Sequence, residues 1–303
     1  QLAMIFAVCN PGISPEAQIC LALQVLCGFS VEAIANAFLS KTETIKKRLQ
    51  RARADLRRDN FQISVLTKSE IVLRMDAVLK TLYLLFNEGY FSKTSDKQVQ
   101  KELCLEAIRL TLLLTENAFT NTPQANALLA LFCFQSSRLD ARTNDKGETI
   151  VYEQQDKKLW DKALTEKGNY YLVESCNGNE TSKYHLEAAI AYWHTTPAGT
   201  NKWQHILQLY DQLILIERSP IAVLNRIFAL AKVKGHTAAI AETEKLNLVE
   251  NSYYHELLGY LYTATNPAQA IAYYDKAIRL TKSLAEKKTL QKEIQQLRLR
   301  HPE

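Results

Sequence analysis

Apolar residues recur at helical spacing through most of this chain, and the residues that break helices are scarce: 9 glycines and 7 prolines in 303 residues. Average proteins hold about 7% glycine and 5% proline, so few turns here need special dihedrals and most of the backbone is free to coil. The pattern predicts an all-α fold. The length exceeds one ordinary domain of about 100–200 residues, which points to two or three units. With 47% hydrophobic and 23% charged residues, the composition is globular and excludes a disordered, collagenous or membrane chain. The longest apolar runs, Ala127–Phe134 and Ile19–Phe29, fall short of the roughly 18 residues of a membrane span. Six cysteines without a Cys-x-x-Cys pair, in a chain that reads without a signal sequence, predict neither a disulfide framework nor a zinc site. Cys20 and Cys27, seven apart among Ile19, Leu23 and Leu26, read as small core residues of one helix face.

Charge is concentrated. The chain carries a formal +5, yet residues 1–40 hold no lysine or arginine, whereas 41–58 hold eight against Glu43 and Asp55, a net +6 that leaves −1 for everything else. Ser14-Pro15-Glu16 opens a helix that runs through Ile19 and Leu23 to Gly28, and Ser30 caps a second over Val31–Phe38. Ser40-Lys-Thr-Glu43 has capping-box spacing, and Ile45, Leu49, Ala52 and Leu56 recur at i, i+4, i+7 and i+11 in a third helix. Its opposite face carries Glu43, Lys47, Gln50, Arg51 and Ala54, flanked by Thr44, Lys46 and Arg57. Two short helices joined tightly, the second basic and a supporting helix ahead of them, follow the helix-turn-helix plan, whose last helix enters the major groove.

At these residues the sequence resembles region 4 of an extracytoplasmic-function RNA polymerase sigma factor. The likeness rests on Ser14–Gln18, on Ser30-Val-Glu-Ala-Ile-Ala-Asn-Ala-Phe38, and on Thr44-Ile-Lys-Lys-Arg-Leu-Gln-Arg-Ala-Arg53, which matches the family's T-[VI]-x-x-R-L-x-R-A-R helix. Asp76-Ala-Val-Leu79 with Leu82-Tyr-Leu-Leu-Phe-Asn-Glu-Gly-Tyr90 resembles the opening of the long helical extension found in one subgroup. Leu103–Leu110, Gln155-Asp156 with Trp160-Asp161, and Leu186–Ala191 extend the match, although Glu187 stands where the family has glutamine. The resemblance implies a DNA-binding unit over 1–60, a helical extension over 61–195 and tetratricopeptide-like repeats over 196–303. It also implies promoter −35 DNA and the β-flap of core RNA polymerase as partners, a protein or small-ligand signal for the extension, and a cytoplasmic location. Lys46, Lys47, Gln50 and Arg51 are then the base-reading residues, and Thr44, Arg48, Arg53 and Arg57 the phosphate contacts. The family's region 2 lies upstream, and the chain opens at Gln1 without it, so the resemblance implies a fragment.

Beyond this unit, Leu73, Ala77 and Leu82–Phe86 read as one apolar ridge, and Cys104, Ala107, Ile108, Leu110 and Leu114 as another. Asn60–Lys68 reads as a linker, and Gly89 as the end of a helix. Thr143–Glu148 is a turn cluster whose flanks pair as a short hairpin or pack as a loop. An approximate repeat places Ile206, Ile240 and Ile271 in matching contexts 34 and 31 residues apart, with Pro220 and Pro267 at helix starts and Ala229, Gly235, Ala241 and Ala277 as small packing residues. Lys282–Arg300 reads as a closing charged helix. No catalytic, metal or cofactor pattern is present: His185-Leu-Glu187 lacks the Pro-Cys-x-x-Cys of zinc deaminases, and no glycine-rich phosphate loop occurs. Asn87, Glu88, Gly89, Tyr90, Arg138, Arg142, Asp156, Trp160 and Asp161 are candidates for a pocket or interdomain contact, but the favoured reading of these residues is a hydrogen-bonded network that locks helix ends. The reading favours a non-enzymatic, promoter-recognising protein; its alternative is a helical-repeat scaffold with a basic helix and no promoter specificity.

Overall fold

The computed structural model describes residues 2–25, 27–38, 40–58, 66–91, 100–142, 144, 150, 152–196, 199, 201–281 and 283–300. Among them are fifteen α-helices, three single-turn 3-10 segments and no β-strand, so the chain is all-helical. None of these helices is long and apolar enough to cross a membrane. The chain divides into two compact units, 1–139 with 160–179 and 140–159 with 180–303. This division cuts differently from the three segments expected at 60 and 195. The Thr143–Glu148 cluster, apart from Asn144, and most of the expected linker lie outside the described residues.

The first unit holds α1 (Leu2–Val8), α2 (Pro15–Val25), α3 (Val31–Ala37), α4 (Thr42–Arg58), α5 (Lys68–Phe91), α6 (Lys101–Thr115), α7 (Pro123–Ser136) and α8 (Lys162–Glu174). Ser30 caps α3 as expected, its hydroxyl accepting from the Ala33 amide at 3.1 Å. At α4 the expected capping box is absent: the Ser40 amide is spent on the Ala35 carbonyl at 2.8 Å, closing α3, and the Lys41 carbonyl starts the next helix. A box forms instead at α5, where the Thr67 amide donates to Glu70 Oε2 at 2.8 Å. This bond holds the Glu70 carboxyl below its usual range. The signal, Thr67-x-x-Glu70, was legible in sequence but lay at the edge of the stretch read as linker.

Two further expectations are corrected in α5. Leu73 is 72% exposed rather than part of the ridge, because the buried stripe runs through Met75, Val78, Leu79, Leu82, Phe86 and Tyr90. Gly89 does not end the helix, which continues to Phe91. A Cβ at Gly89 would lie 2.9 Å from Cys104 N, Cys104 Sγ and Gln100 O, so this glycine lets α5 and the start of α6 approach. Phe86 stacks on Phe132 of α7, ring centroids 4.1 Å apart. Helix α5 also carries α1, since the buried Arg74 donates to the Phe6 carbonyl at 2.9 Å. Cys20 is fully buried beside Ile19 and Leu23, as its spacing suggested, whereas Cys27 is half-buried and lies beyond the end of α2 rather than on its core face.

The second unit holds α9 (Lys183–Thr195), α10 (Lys202–Ile216), α11 (Pro220–Lys234), α12 (His236–Glu244), α13 (Ser252–Tyr262), α14 (Pro267–Leu280) and α15 (Leu284–Arg300). Each helix packs on the next, and α11 also packs on α13. Pro220 and Pro267 each occupy the first turn of their helix. Ile206, Ala229 and Ala277 are fully buried, whereas Ile240 and Ile271 are half-buried. Ala241 is exposed, and Gly235 serves through its backbone, with φ of +87°, at the junction of α11 and α12 rather than as a packing residue. Helix α15 buries Leu290, Ile294 and Leu297 against Ala270, Tyr274 and Ala277.

Candidate nucleic-acid interface

Helix α4 is held by an apolar stripe. Ile45, Leu49 and Ala52 are buried, Leu56 is half-buried, and the helix packs on both α2 and α3. With that face turned inward, Glu43, Thr44, Lys46, Lys47, Gln50, Arg51, Ala54 and Arg57 are exposed. The Phe38 amide closes α3 on the carbonyls of Ile34 and Asn36.

The basic side chains do different things. Arg48 is half-buried, its guanidinium 5.7 Å from the centre of the Phe38 ring. Arg53 donates through Nη2 to Gln24 Oε1 at 2.6 Å, tying α4 to α2. Two of the expected phosphate contacts are therefore also packing residues, tied to Phe38 and Gln24. Lys46 pairs with Glu43 at 2.9 Å one turn earlier, which keeps it protonated more firmly than usual. Lys47, Gln50, Arg51 and Arg57 make no hydrogen bond or ion pair with any described residue. They leave two long cations, an amide and a further arginine pointing outward from a rigid helix.

The polar cluster is only partly assembled within the first unit. Tyr90 is buried and accepts from Arg138 Nη2 at 3.1 Å, and the same guanidinium lies 5.9 Å from the centre of the Trp160 ring. Asp161 is committed to structure: its Oδ1 accepts from the Leu164 amide at 3.0 Å to cap α8, and its own amide donates to the Ser137 carbonyl at 2.8 Å. Asn87 and Glu88 are half-buried on the last turns of α5. Arg142 and Asp156 belong to the second unit, where the Arg142 carbonyl accepts from Ile150 at 2.8 Å and Asp156 Oδ1 accepts from the Lys158 amide at 2.9 Å. His185 also turns out to be a cap, its Nδ1 accepting from the Ser182 amide at 3.1 Å.

Residues 74–176 match a family of unknown function, DUF6596. The uncharacterized protein R00370 of Rhizobium meliloti (strain 1021) is 33% identical over 291 residues, covering 94% of this chain and 68% of the relative. The chain belongs to the family of this rhizobial protein. No solved structure matches it. Every residue of the polar cluster falls inside the 74–176 match, and helix α4 falls outside it.

Proposed function

We propose that α2–α4 form a promoter-reading helix-turn-helix and that the chain carries region 4 and the helical extension of an extracytoplasmic-function sigma factor, acting in the cytoplasm with core RNA polymerase. The observation that carries this reading is the two-sidedness of α4: one face seated on α2 and α3 by Ile45, Leu49 and Ala52, the other presenting Lys47, Gln50 and Arg51 outward. Amides and guanidinium groups at that spacing match the hydrogen-bond edges of adenine and guanine in the major groove. Lys46 joins them once its exposed pair with Glu43 opens, an exchange of small cost. Thr44 and Arg57 flank this row and contact phosphates. Arg48 and Arg53 act first by fixing α4 against Phe38 and Gln24. The β-flap of the polymerase is the protein partner of the same unit. Helices α5–α15 are a regulatory extension, with successive pairs of α10–α15 stacking as tetratricopeptide-like repeats.

The test is fluorescence anisotropy of the whole chain on duplexes carrying −35-like elements. Arg51→Ala is expected to cost about 1–3 kcal/mol and to blur discrimination between bases at one position. Unchanged affinity together with unchanged discrimination would overturn the assignment.

A further inference from the structure

A row of aromatic rings crosses four elements of the second unit, and one of its ends is filled by the chain itself. His194 of α9 meets Trp203 of α10 edge-on at 5.7 Å, Trp203 meets Phe228 of α11 at 5.6 Å, and Phe228 meets Tyr260 of α13 at 5.2 Å. The Lys232 ammonium lies over three of these rings, 5.8 Å from Trp203, 5.1 Å from Phe228 and 5.4 Å from Tyr260. Rings and cation hold each other here, because the ring faces are electron-rich. Among the described residues, the carboxylate paired with this caged cation comes from far along the chain: Glu153 Oε1 sits 2.7 Å from Lys232 Nζ. Its neighbour Tyr152 docks beside it, donating to the His194 carbonyl at 2.5 Å and accepting from Lys202 at 3.0 Å, with its ring edge-on to His194 at 5.0 Å.

A structural tether does not need a caged lysine to receive an exposed glutamate, and the Glu153 side chain is 57% exposed, so this carboxylate reaches the cation from the solvent side. The arrangement is that of a receptor with a ligand in place: a slot that hydrogen-bonds a phenol, followed by a cation in an aromatic cage that takes a carboxylate. We propose that this row is a docking site for a partner protein's peptide segment carrying an aromatic residue followed by an acidic one, and that Tyr152-Glu153 is an internal competitor for it. The row holds Lys202 and Lys232 with Glu153 as the paired acid, so charge favours an acidic segment over a basic or neutral one. A ligand on the same chain acts at an effective concentration of about 1 mM, which suppresses a weak external peptide until the internal pair is displaced. This surface is independent of DNA reading by α4.

The probe is a fluorescein-labelled peptide with the sequence of residues 149–156, Thr-Ile-Val-Tyr-Glu-Gln-Gln-Asp, titrated with the whole chain in an anisotropy assay. Y152A/E153Q is expected to bind it at least about tenfold more tightly than the wild type, since the competitor is gone. Adding K232Q is expected to abolish that gain, and a peptide with its Tyr-Glu pair replaced by Ala-Lys is expected not to bind. The proposal is overturned if Y152A/E153Q with an unchanged helical spectrum binds no better than the wild type. It is equally overturned if K232Q leaves binding intact, if a scrambled peptide binds as well, or if a labelled single-stranded octanucleotide is captured in place of the peptide. Should the double variant lose its helical spectrum, E153Q alone decides: a several-fold gain supports the proposal, and no gain overturns it.

Discussion

Gly89→Ala places one methyl group where α5 meets the start of α6, and the size of its effect follows from what that methyl meets. Its Cβ would lie 2.9 Å from three atoms, two of them backbone (Cys104 N and Gln100 O) and the third the sulfur of a fully buried cysteine. None is the free end of a flexible side chain. Moreover, the Gly89 carbonyl accepts from the Gln100 amide at 2.7 Å, so pushing α6 away also stretches that bond. Overpacking of a rigid site costs about 1–3 kcal/mol, and contacts with backbone belong in the upper half of that range. Alanine returns up to about 1 kcal/mol because it is the better helix former. The net expectation is a loss of about 1–2 kcal/mol, or about 3–6 °C in the melting temperature of a unit this size. Thermal melts by circular dichroism and calorimetry read it. A melting temperature at or above the wild-type value would show that helix propensity outweighs the contact and that close approach does not explain this glycine.

Other perturbations separate the roles assigned above. Glu256 is raised to about 7 by burial, with Glu286 as the second cause; a carboxyl raised above its unfolded value makes stability fall as pH rises from about 4.5 to 7. Glu256→Gln is therefore expected to flatten that part of the stability profile and to raise the melting temperature at pH 8, and an unaltered profile would contradict the assignment. Thiol titration of the native chain is expected to label exposed Cys176 first, while Cys9 and Cys133, both pushed up to about 12 by burial, stay silent until denaturant is added. Arg57→Ala is expected to weaken binding to all duplexes alike and to reduce the salt slope by about 0.9, without altering base preference.

Helices α2–α4 were legible because their signals are local: a serine at a cap, a proline in a first turn, an apolar stripe at 3.6 spacing. Ile45, Leu49 and Ala52 were assigned to the core from spacing alone and are buried. What sequence could not show were the contacts between segments. Gly89 read as a helix end because the Cys104 backbone it admits lies fifteen residues away, and Arg48 and Arg53 read only as phosphate contacts because Phe38 and Gln24 lie outside their own helix. Ala241 looked like a packing residue, yet the stripe of its short helix turns Ala239 and Thr243 inward instead. The aromatic row was invisible for the same reason, since each helix contributes only one or two of its rings.

The most direct test of promoter reading by α4 is selection of duplexes from a random pool by the whole chain, run in parallel with a Lys47→Ala/Gln50→Ala/Arg51→Ala variant. Enrichment of one short motif by the wild type, lost in the variant while weak salt-dependent binding persists, is the expected result. A pool that stays random under the wild type, or a motif that the variant enriches equally, would contradict it.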